Sequence, residues 1–469
     1  MSEGYRTERD SLGEMEVPAD AYWGAQTQRA VENFPISGSK FGRRFIRALG
    51  VVKLAAVRTN VELGLIDDDV GTAIDAAAEA VIAGELDDQF VVDVFQTGSG
   101  TSSNMNANEV IANRAAEELG VSRGERAVHP NDHVNFGQSS NDVIPTAMHI
   151  AVREAVVHDV IPALSHLQDA LETRATEFDE IVKTGRTHLQ DATPITLGQE
   201  FTGYATQIAH GIERMRATEP RLAELALGGT AVGTGLNTHP EFPGRTAEAI
   251  TEITGLEFSP ATSHFEAMAA HDAMAEVHGA IRTVAGSMHK IANDLRLLAS
   301  GPRNGLGEID QPENQPGSSI MPGKINPVVA EAVNQVHAAV LGNDVTVATG
   351  AAGGQLELNL FKPVIAHRTL ESCQLVSRGA EVFADRFIDR LDADTEHIAA
   401  QVEQSMALAT ALNPSIGYDA AAAVAKEATA TGQSIREVAV DQGYLTSDEA
   451  DTVLDPRRMT ERGILGDDS

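Results

Sequence analysis

The chain has 469 residues, of which 42% are hydrophobic and 4% aromatic, and it carries 68 acidic against 35 basic side chains. The resulting net charge of -33 argues against nucleic acid as a partner, because phosphate binding requires basic patches. The single cysteine, Cys373, excludes an internal disulfide and a thiolate metal site, and we expect it to be a small buried apolar residue.

The acidic excess is accompanied by a shortage of lysine, which supplies seven of the basic residues. An acidic, lysine-poor and aromatic-poor composition is typical of proteins from salt-accumulating halophiles, where near 1 M salt the Debye length is about 3 Å. An ordinary acidic cytosolic protein is the alternative. The sequence lacks a bilayer-spanning apolar stretch and an apolar signal core near its start, which predicts a soluble, non-secreted, cytoplasmic protein.

The first part of the chain contains short segments of helical periodicity that are frequently interrupted. This pattern continues to about Gln138 and predicts an N-terminal helical domain over residues 1–138. One interruption, the run Thr97-Gly98-Ser99-Gly100-Thr101-Ser102-Ser103-Asn104, is rich in hydroxyl groups and directly precedes a helical pattern. It lacks the third glycine and the preceding strand of a dinucleotide-binding fingerprint.

The middle of the chain, residues 139–394, predicts a bundle of long helices. Each window opens with a proline or a capping residue, and β-rich runs are scarce. The predicted windows are 144–177, 197–215, 263–300, 328–347 and 363–387. Because helices longer than about 25 residues must bury an apolar face along their length, we predict an all-α fold in which the bundle packs against other subunits.

The window 263–300 contains no proline and predicts one uninterrupted helix. His264, His271 and His278 recur every seven residues and therefore lie near one face of that helix. No acidic or cysteine ligand cluster accompanies them, which favours satisfied core or interface histidines over a metal stripe. After about Asp394 the chain becomes rich in small residues, and we predict a small helical domain over 395–469.

Three further segments resemble the Thr97 segment in their hydroxyl, amide and imidazole content. They are Gln138-Ser139-Ser140-Asn141-Asp142, Gly185-Arg186-Thr187-His188-Leu189-Gln190-Asp191 and Gly317-Ser318-Ser319-Ile320-Met321-Pro322-Gly323-Lys324-Ile325-Asn326-Pro327. Taken singly, each segment is explained by helix capping. If several helix N-termini converge, however, their free N–H groups and dipoles form an anion site that suits a small carboxylate substrate.

The sequence does not match the motifs of several other enzyme classes. The run from Gly317 to Lys324 has five residues between its glycines where a phosphate-binding loop has four, and Ile325 replaces the required Ser or Thr. A nucleophile elbow and a zinc-binding histidine pair are also missing from the sequence. Nucleotide cofactors, serine hydrolysis and zinc chemistry are therefore unsupported.

The segment from Gly317 to Pro327 resembles the signature loop of the fumarase/aspartase superfamily. Within that superfamily, the stretches 186–192, 138–142 and 129–135 are most similar to class II fumarases, and the resemblance extends from about Thr7 to Arg462. Aspartases typically have Gln in place of His188 and Thr in place of Ser140. An aspartate ammonia-lyase, or a superfamily member kept as a catalytically silent structural protein, is the alternative.

The resemblance implies specific site residues. The implied catalytic residues are His188, Ser318, Glu331 and Lys324. The implied substrate-binding residues are Ser99, Gly100, Thr101, Ser139, Ser140, Asn141, Thr187, Ser319, Lys324 and Asn326. A second carboxylate site is implied at Arg126, His129, Asn131 and Asp132. The resemblance further implies no cofactor or metal, three helical domains, and a homotetramer whose active sites each combine segments of three subunits.

The implied mechanism leaves one question open. By resemblance, Ser318 removes the carbon-bound proton of malate, Lys324 and Asn326 hold the adjacent carboxylate, and His188 pairs with Glu331. Serine is a poor base unless nearby N–H groups and a cation stabilise its oxyanion. His188 acting through a bound water is the alternative.

The sequence departs from relatives at two places near these segments. Phe136-Gly137 stands where relatives usually have a lysine and a small residue, and Gln315 replaces a usual Glu before Ser318. The first departure is consistent with a halophilic loss of lysine. The second is expected to affect the motion of the loop or the pKa of Ser318. Neither departure replaces a residue that is assigned to the chemistry.

Overall fold

A computed structural model of the protein describes residues 4–463. The chain is predominantly helical, which confirms the predicted all-α class. The α-helices are Ala25–Asn33, Arg43–Glu62, Asp68–Ala83, Thr101–Glu118, Ser140–Ala155, Ile161–Glu177, Leu197–Leu222, Phe242–Thr254, His264–Ala269, Asp272–Leu298, Val328–Ala351, Lys362–Arg386, Thr395–Glu403, Asn413–Ile416, Tyr418–Thr431, Ile435–Asp441 and Ser447–Val453. None of the described helices is long and apolar enough to cross a membrane.

Short helical turns and strand pairs connect these helices. The 3₁₀ turns are Asp87–Gln89, Ile388–Arg390, Met406–Leu412 and Arg458–Thr460, and the π-helical turns are Pro130–Val134 and Val156–Val160. The antiparallel strand pairs are Tyr5–Asp10 with Gly13–Pro18, Val182–Thr187 with Gln190–Thr196, and Ile309–Asp310 with Asp392–Ala393. One short parallel pair joins Glu224–Leu225 to Ser259–Pro260.

Four of the five predicted windows are occupied by long helices, although the window 197–215 ends seven residues before its helix does, at Leu222. The window 144–177 is occupied by two helices, which follow one another along the chain with a π-helical turn at Val156–Val160 between them. Its beginning is fixed by a capping box, in which the Ser139 hydroxyl accepts from the helix and the Asp142 carboxylate accepts from the Ser139 N–H. The window 328–347 is extended at its C-terminal end to Ala351.

The predicted uninterrupted helix over 263–300 is wrong. The helix ends at Ala269, Ala270 is extended with φ -111° and ψ 149°, and a second helix begins at Asp272. The carbonyl of Ala269 packs so closely against Gly354 that a Cβ at that glycine would clash with it. The break coincides with this tertiary contact, and the local sequence has neither proline nor glycine there to signal it.

The three histidines of this region are all in the core or partly buried, and two of them have partners. His264 Nε2 lies 3.2 Å from the Leu227 carbonyl oxygen, and the His278 ring lies between Asp344 and Ser372 at 3.0 and 2.9 Å. The prediction of satisfied histidines is wrong for His271, which is 1% exposed and has no hydrogen-bond partner at either ring nitrogen within the described part of the chain.

The chain forms two compact units. The first contains residues 4–162, Glu213–Ala285 and Ala338–Ser377, and the second contains Ala163–Ile212, Gly286–His337 and residues 378–463. The division into 1–138, 139–394 and 395–469 stays a prediction. It is supported at the C-terminal end, where buried residues between Leu408 and Leu454 form a hydrophobic cluster of their own.

Cys373 is buried as predicted, at 1% exposure. Burial in apolar surroundings disfavours the thiolate and raises the pKa of Cys373 to about 12. The thiol therefore stays protonated at neutral pH. It acts as a small apolar side chain, which is the role that the sequence predicts.

Candidate active site

The first hydroxyl-rich segment is a tight turn that leads into helix Thr101–Glu118. Gly100 adopts a left-handed conformation with φ 79°, and Gly98 lies so close to the Leu360 carbonyl that any side chain there would clash. The Ser99 and Thr101 hydroxyl oxygens lie 2.8 Å apart. The turn therefore places two predicted substrate-binding hydroxyls at a helix N-terminus, where the dipole favours an anion.

The second hydroxyl-rich segment begins helix Ser140–Ala155 and lies beside the first. The Thr101 and Ser140 hydroxyl oxygens are 2.7 Å apart, and the Asn141 side chain donates to the Ala231 carbonyl oxygen at 2.8 Å. Two helix N-termini thus meet at a chain of three hydroxyl groups that starts at Ser99. This part of the predicted convergence is present within the first unit.

A buried set of charged residues lies behind these turns, and sequence reasoning missed it. Lys53, Asp142 and Lys362 are each fully buried. Burial raises the pKa of Asp142 to about 6, although N–H groups of Ser139, Thr230 and Gly228 oppose the rise. The one available signal was the rarity of lysine, since a chain that retains seven lysines is expected to retain them for specific contacts.

The third segment is a β-hairpin in the second unit. Its two-residue turn is formed by His188 and Leu189, whose φ values are 57° and 59°, and both side chains are exposed in the single chain. Positive φ at both positions is characteristic of a type I′ turn, which normally prefers Asn or Gly. Histidine and leucine are unfavourable in this conformation. Their presence therefore indicates that a side chain at the tip of the hairpin is retained for function.

The base of this hairpin is fixed by a buried ion-pair network. Glu308 is fully buried and receives Lys183 Nζ at 3.1 Å and Arg186 Nη1 at 2.6 Å. Lys183 also pairs with Glu200 at 2.9 Å. Because breaking a buried pair leaves an uncompensated charge, the network holds the strand that carries Thr187 in one position.

The fourth segment closes into a ring that contains Ser318. The Gly317 N–H donates to the Lys324 carbonyl oxygen at 2.8 Å, and the Asn326 side chain donates to the Gly317 carbonyl oxygen at 2.6 Å. A Cβ at Gly317 would lie 2.5 Å from that Lys324 oxygen, so the ring requires glycine there. Asn326, predicted to bind substrate, therefore uses its amide to hold the loop in this state.

The Ser318 hydroxyl oxygen accepts hydrogen bonds from two backbone N–H groups of the loop. The donors are Ile320 and Met321, at 3.2 and 3.0 Å. Two N–H donors aimed at one hydroxyl oxygen favour its oxyanion. Lys324 and Ser319 are exposed on the same loop, and no carboxylate among residues 4–463 pairs with Lys324.

Glu331 lies in the first turn of helix Val328–Ala351 and is half-buried. Within the described part of the chain, no hydrogen bond or ion pair joins Glu331 to His188. The first unit thus assembles the turns at Ser99 and Ser140, whereas the second presents His188 on a hairpin and Ser318 on a loop. The predicted pairing of His188 with Glu331 stays a prediction.

The residues of the predicted second carboxylate site surround the π-helical turn Pro130–Val134. His129 Nδ1 accepts from the N–H groups of Asn131 and Asp132 at 3.2 and 3.0 Å when the ring is neutral, and it also lies 3.2 Å from the Asp132 carboxylate, to which a protonated ring donates. Burial lowers the pKa of His129. Arg126 is exposed and adopts φ 55°. An Nε2–H donor and a nearby guanidinium are suitable groups for binding a carboxylate.

The two sequence departures occupy loop positions. Gly137 has φ 69°, and the Phe136 carbonyl oxygen accepts from the Asn60 and Gln138 side chains at 3.1 and 3.2 Å. Gln315 is exposed two residues before the Ser318 ring. Phe136 therefore stabilises the loop through its backbone carbonyl group.

One group of described residues has the composition of a metal site. Ligand atoms of His166, Asp385 and Asp389 lie within 4.8 Å of one another, and all three residues are exposed. His166 Nε2 already pairs with Asp385 at 2.6 Å. These three side chains belong to none of the four hydroxyl-rich segments.

The chain is similar to known proteins over nearly its whole length. Residues 13–342 match the family described as Lyase, and residues 408–461 match the family described as Fumarase C C-terminus. The class II fumarate hydratase of Halobacterium salinarum is 69% identical over all of both chains. That of Nitrosomonas europaea is 53% identical, over 97% of this chain and 99% of the relative. The crystal structure of class II fumarase from Schistosoma mansoni has a TM-score of 0.95 and 38% identity, over 97% of this chain and 99% of that one.

Proposed function

Because the chain belongs to the family of class II fumarate hydratases, we propose that the Ser318 loop performs the proton transfer in the reversible hydration of fumarate to (S)-malate. The chain is a lyase, and this hydration is a step of the tricarboxylic acid cycle. The observation that supports the proposal is the pair of N–H donors at the Ser318 hydroxyl oxygen. A hydroxyl group in that environment is prepared to act as a base.

The proposed reaction proceeds through a carbanion. In the direction of dehydration, the Ser318 oxyanion takes the proton from the carbon beside one carboxylate, and the electron pair moves into that carboxylate. The resulting aci-carboxylate carries an additional negative charge, which Lys324 and a helix N-terminus stabilise. The electron pair then forms the double bond while the hydroxyl group on the neighbouring carbon takes a proton from the His188–Glu331 pair and leaves as water.

His188 and Glu331 are proposed to bind the transferred water and to exchange its proton. The turn presents the His188 ring without an intramolecular partner among the described residues, so the ring is free to meet a carboxylate from elsewhere. A bound water activated by His188 remains the alternative base. In either scheme Thr101, Ser140 and Asn141 provide polar groups for the substrate or the water.

We further propose a homotetramer in which each active site combines segments of three subunits. Among the described residues neither a hydrogen bond nor an ion pair joins His188 to Glu331, which supports a partner for His188 from another subunit. Several large apolar side chains on the long helices also remain exposed in the single chain, namely Leu297 (43%), Leu341 (41%), Val345 (67%) and Val382 (45%). Apolar residues along long helices are normally covered, and a second copy of the chain is the natural cover. A cytoplasmic location and a second carboxylate site at Arg126, His129, Asn131 and Asp132 stay predictions.

The decisive test is an ultraviolet assay of fumarate formation at high salt. Purified protein is supplied with malate, and in parallel with aspartate, and the absorbance of fumarate is followed. The reverse reaction is measured from fumarate with and without ammonia. We expect turnover of malate and none of aspartate. Ammonia-dependent consumption of fumarate would instead identify an aspartate ammonia-lyase, and no turnover at all would identify a silent member of the superfamily.

Replacing His188 by asparagine is expected to reduce turnover of malate by a factor of about 10² or more, because general acid–base groups contribute by that amount. Asparagine also suits the positive φ of 57° at this turn position, so the hairpin should remain folded. Steady-state kinetics and circular dichroism measure the two effects. A rise in KM at unchanged kcat would show that His188 only binds the substrate.

A further inference from the structure

Two buried ammonium groups hold the turn that carries Ser139, Ser140 and Asn141. Lys53 Nζ donates to the side-chain oxygens of Asn135 and Gln138 at 3.0 and 2.9 Å, immediately before this turn. Lys362 Nζ donates to the Asn141 carbonyl oxygen at 3.0 Å. Both lysines are 0% exposed.

Lys362 also contacts the neighbouring turn. Its backbone N–H donates to the Gly98 carbonyl oxygen at 3.2 Å, and Gly98 has no room for a side chain because Leu360 packs against it. The Thr101 and Ser140 hydroxyl groups join the two turns directly, at 2.7 Å. Lys362 is thus in contact with both turns that present the hydroxyl groups of the candidate active site.

The charges in this buried set do not balance. Asp142 is the carboxylate that acts on both lysines, and its oxygens accept from the N–H groups of Ser139, Gly228 and Thr230. When both lysines are protonated, one positive charge is therefore left without a carboxylate partner among residues 4–463. An uncompensated buried charge is strongly unfavourable unless an anion approaches it.

We propose that the buried ammonium of Lys362 is a positioning and charge-supplying residue for the reaction, which fixes the Asn141 turn and provides the positive charge that a bound dicarboxylate requires. Because Lys362 lies behind the turns and acts through Asn141, it is not a catalytic residue. The proposal rests on the proposed function in one respect, since the substrate must be a dicarboxylate.

The protonation of Lys362 then depends on substrate. Burial lowers the pKa of Lys362 to about 7, and Asp142 opposes the fall. Lys53, whose pKa burial lowers to about 7, shares Asp142 with Lys362, and His271, whose pKa burial lowers, interacts with the charges of Lys362 and His149. A bound dianion favours the ammonium and raises the pKa of Lys362, so binding takes up a proton. Affinity for the dicarboxylate should therefore decline as the pH rises above about 7.

The test compares the wild type with Lys362→Met, which preserves length and removes the charge. Binding of succinate, a dicarboxylate that lacks the reacting groups, is measured by calorimetry at one high salt concentration from pH 6 to 9. Buffers of different ionisation enthalpy give the number of protons taken up. At pH 6.5 we expect binding to weaken by about tenfold in the variant, as for loss of one nearby charge. The difference in affinity between the wild type and the variant should shrink toward pH 9. The variant should also take up fewer protons on binding succinate than the wild type does.

The matched control is Lys426→Met, which changes the net charge equally on an exposed position of helix Tyr418–Thr431. It should bind succinate as the wild type does, with the same proton uptake. A second variant, Lys362→Gln, retains an N–H donor for the Asn141 carbonyl without a charge, and it replaces Lys362→Met if that variant does not fold. We expect it to behave as an uncharged variant.

Two outcomes would overturn the role of Lys362. The first is a variant whose affinity for succinate changes with pH in parallel with the wild type. The second is wild-type affinity and proton uptake in Lys362→Gln. In both cases wild-type protein that still dehydrates malate would leave the proposed function intact. Protein that neither binds succinate nor converts malate would contradict the proposed function itself.

Discussion

Replacing Ser318 by alanine should reduce malate dehydration by a factor of about 10² to 10⁴, the range over which a base contributes to a proton transfer. The change removes the one hydroxyl oxygen that accepts from Ile320 and Met321, and alanine cannot take a proton from carbon. Ser318 lies on a loop, so the loss of its hydrogen bonds should cost about 0.5–2 kcal/mol of stability at most. Steady-state kinetics and thermal unfolding of the same preparation measure both effects.

A control for Ser318→Ala is available in the C-terminal part of the chain. Ser434 begins helix Ile435–Asp441, and its hydroxyl oxygen also accepts a backbone N–H, from Glu437 at 3.2 Å. Ser434→Ala should therefore lose a comparable capping interaction and retain turnover. Near-normal turnover in Ser318→Ala would exclude Ser318 as the base and would favour the water bound by His188.

Transfer from high to low salt is expected to abolish activity while the helices persist. Each chain has a net charge of -33, and a tetramer would carry about four times that charge. Screening acts beyond about 10 Å at 0.1 M salt but beyond about 3 Å at 1 M, so like-charge repulsion between subunits grows on dilution of salt. Subunit association should weaken first, and the shared active sites should be lost with it.

The salt experiment requires three measurements on one sample that is stepped from high to low salt. Sedimentation gives the assembly, circular dichroism gives the helix content, and the ultraviolet assay gives malate dehydration. We expect sedimentation and activity to fall together, before the helical signal does. A fully active monomer at any salt concentration would contradict both the shared site and the tetramer.

The Ser318 ring shows how local sequence and tertiary structure share the specification of the site. Glycines at 317 and 323 allow the ring to close, and both are readable from the sequence, as are the capping groups at Ser139 and Thr101. The contact of Thr101 with Ser140 is not readable, because it joins residues 39 positions apart. Its formation depends on how two helices pack.

The sequence by itself determined the all-α class, the long helices and the family, because helical periodicity, helix capping and loop motifs are local properties of the chain. It did not reveal the helix break at Ala270, where the Ala269 carbonyl packs against Gly354. Nor did it reveal that Lys53, Asp142 and Lys362 are buried together, since they lie in three segments that are distant in the sequence. Only the tertiary structure decided these features, because burial, and with it the pKa of each group, depends on which distant segments exclude water from it.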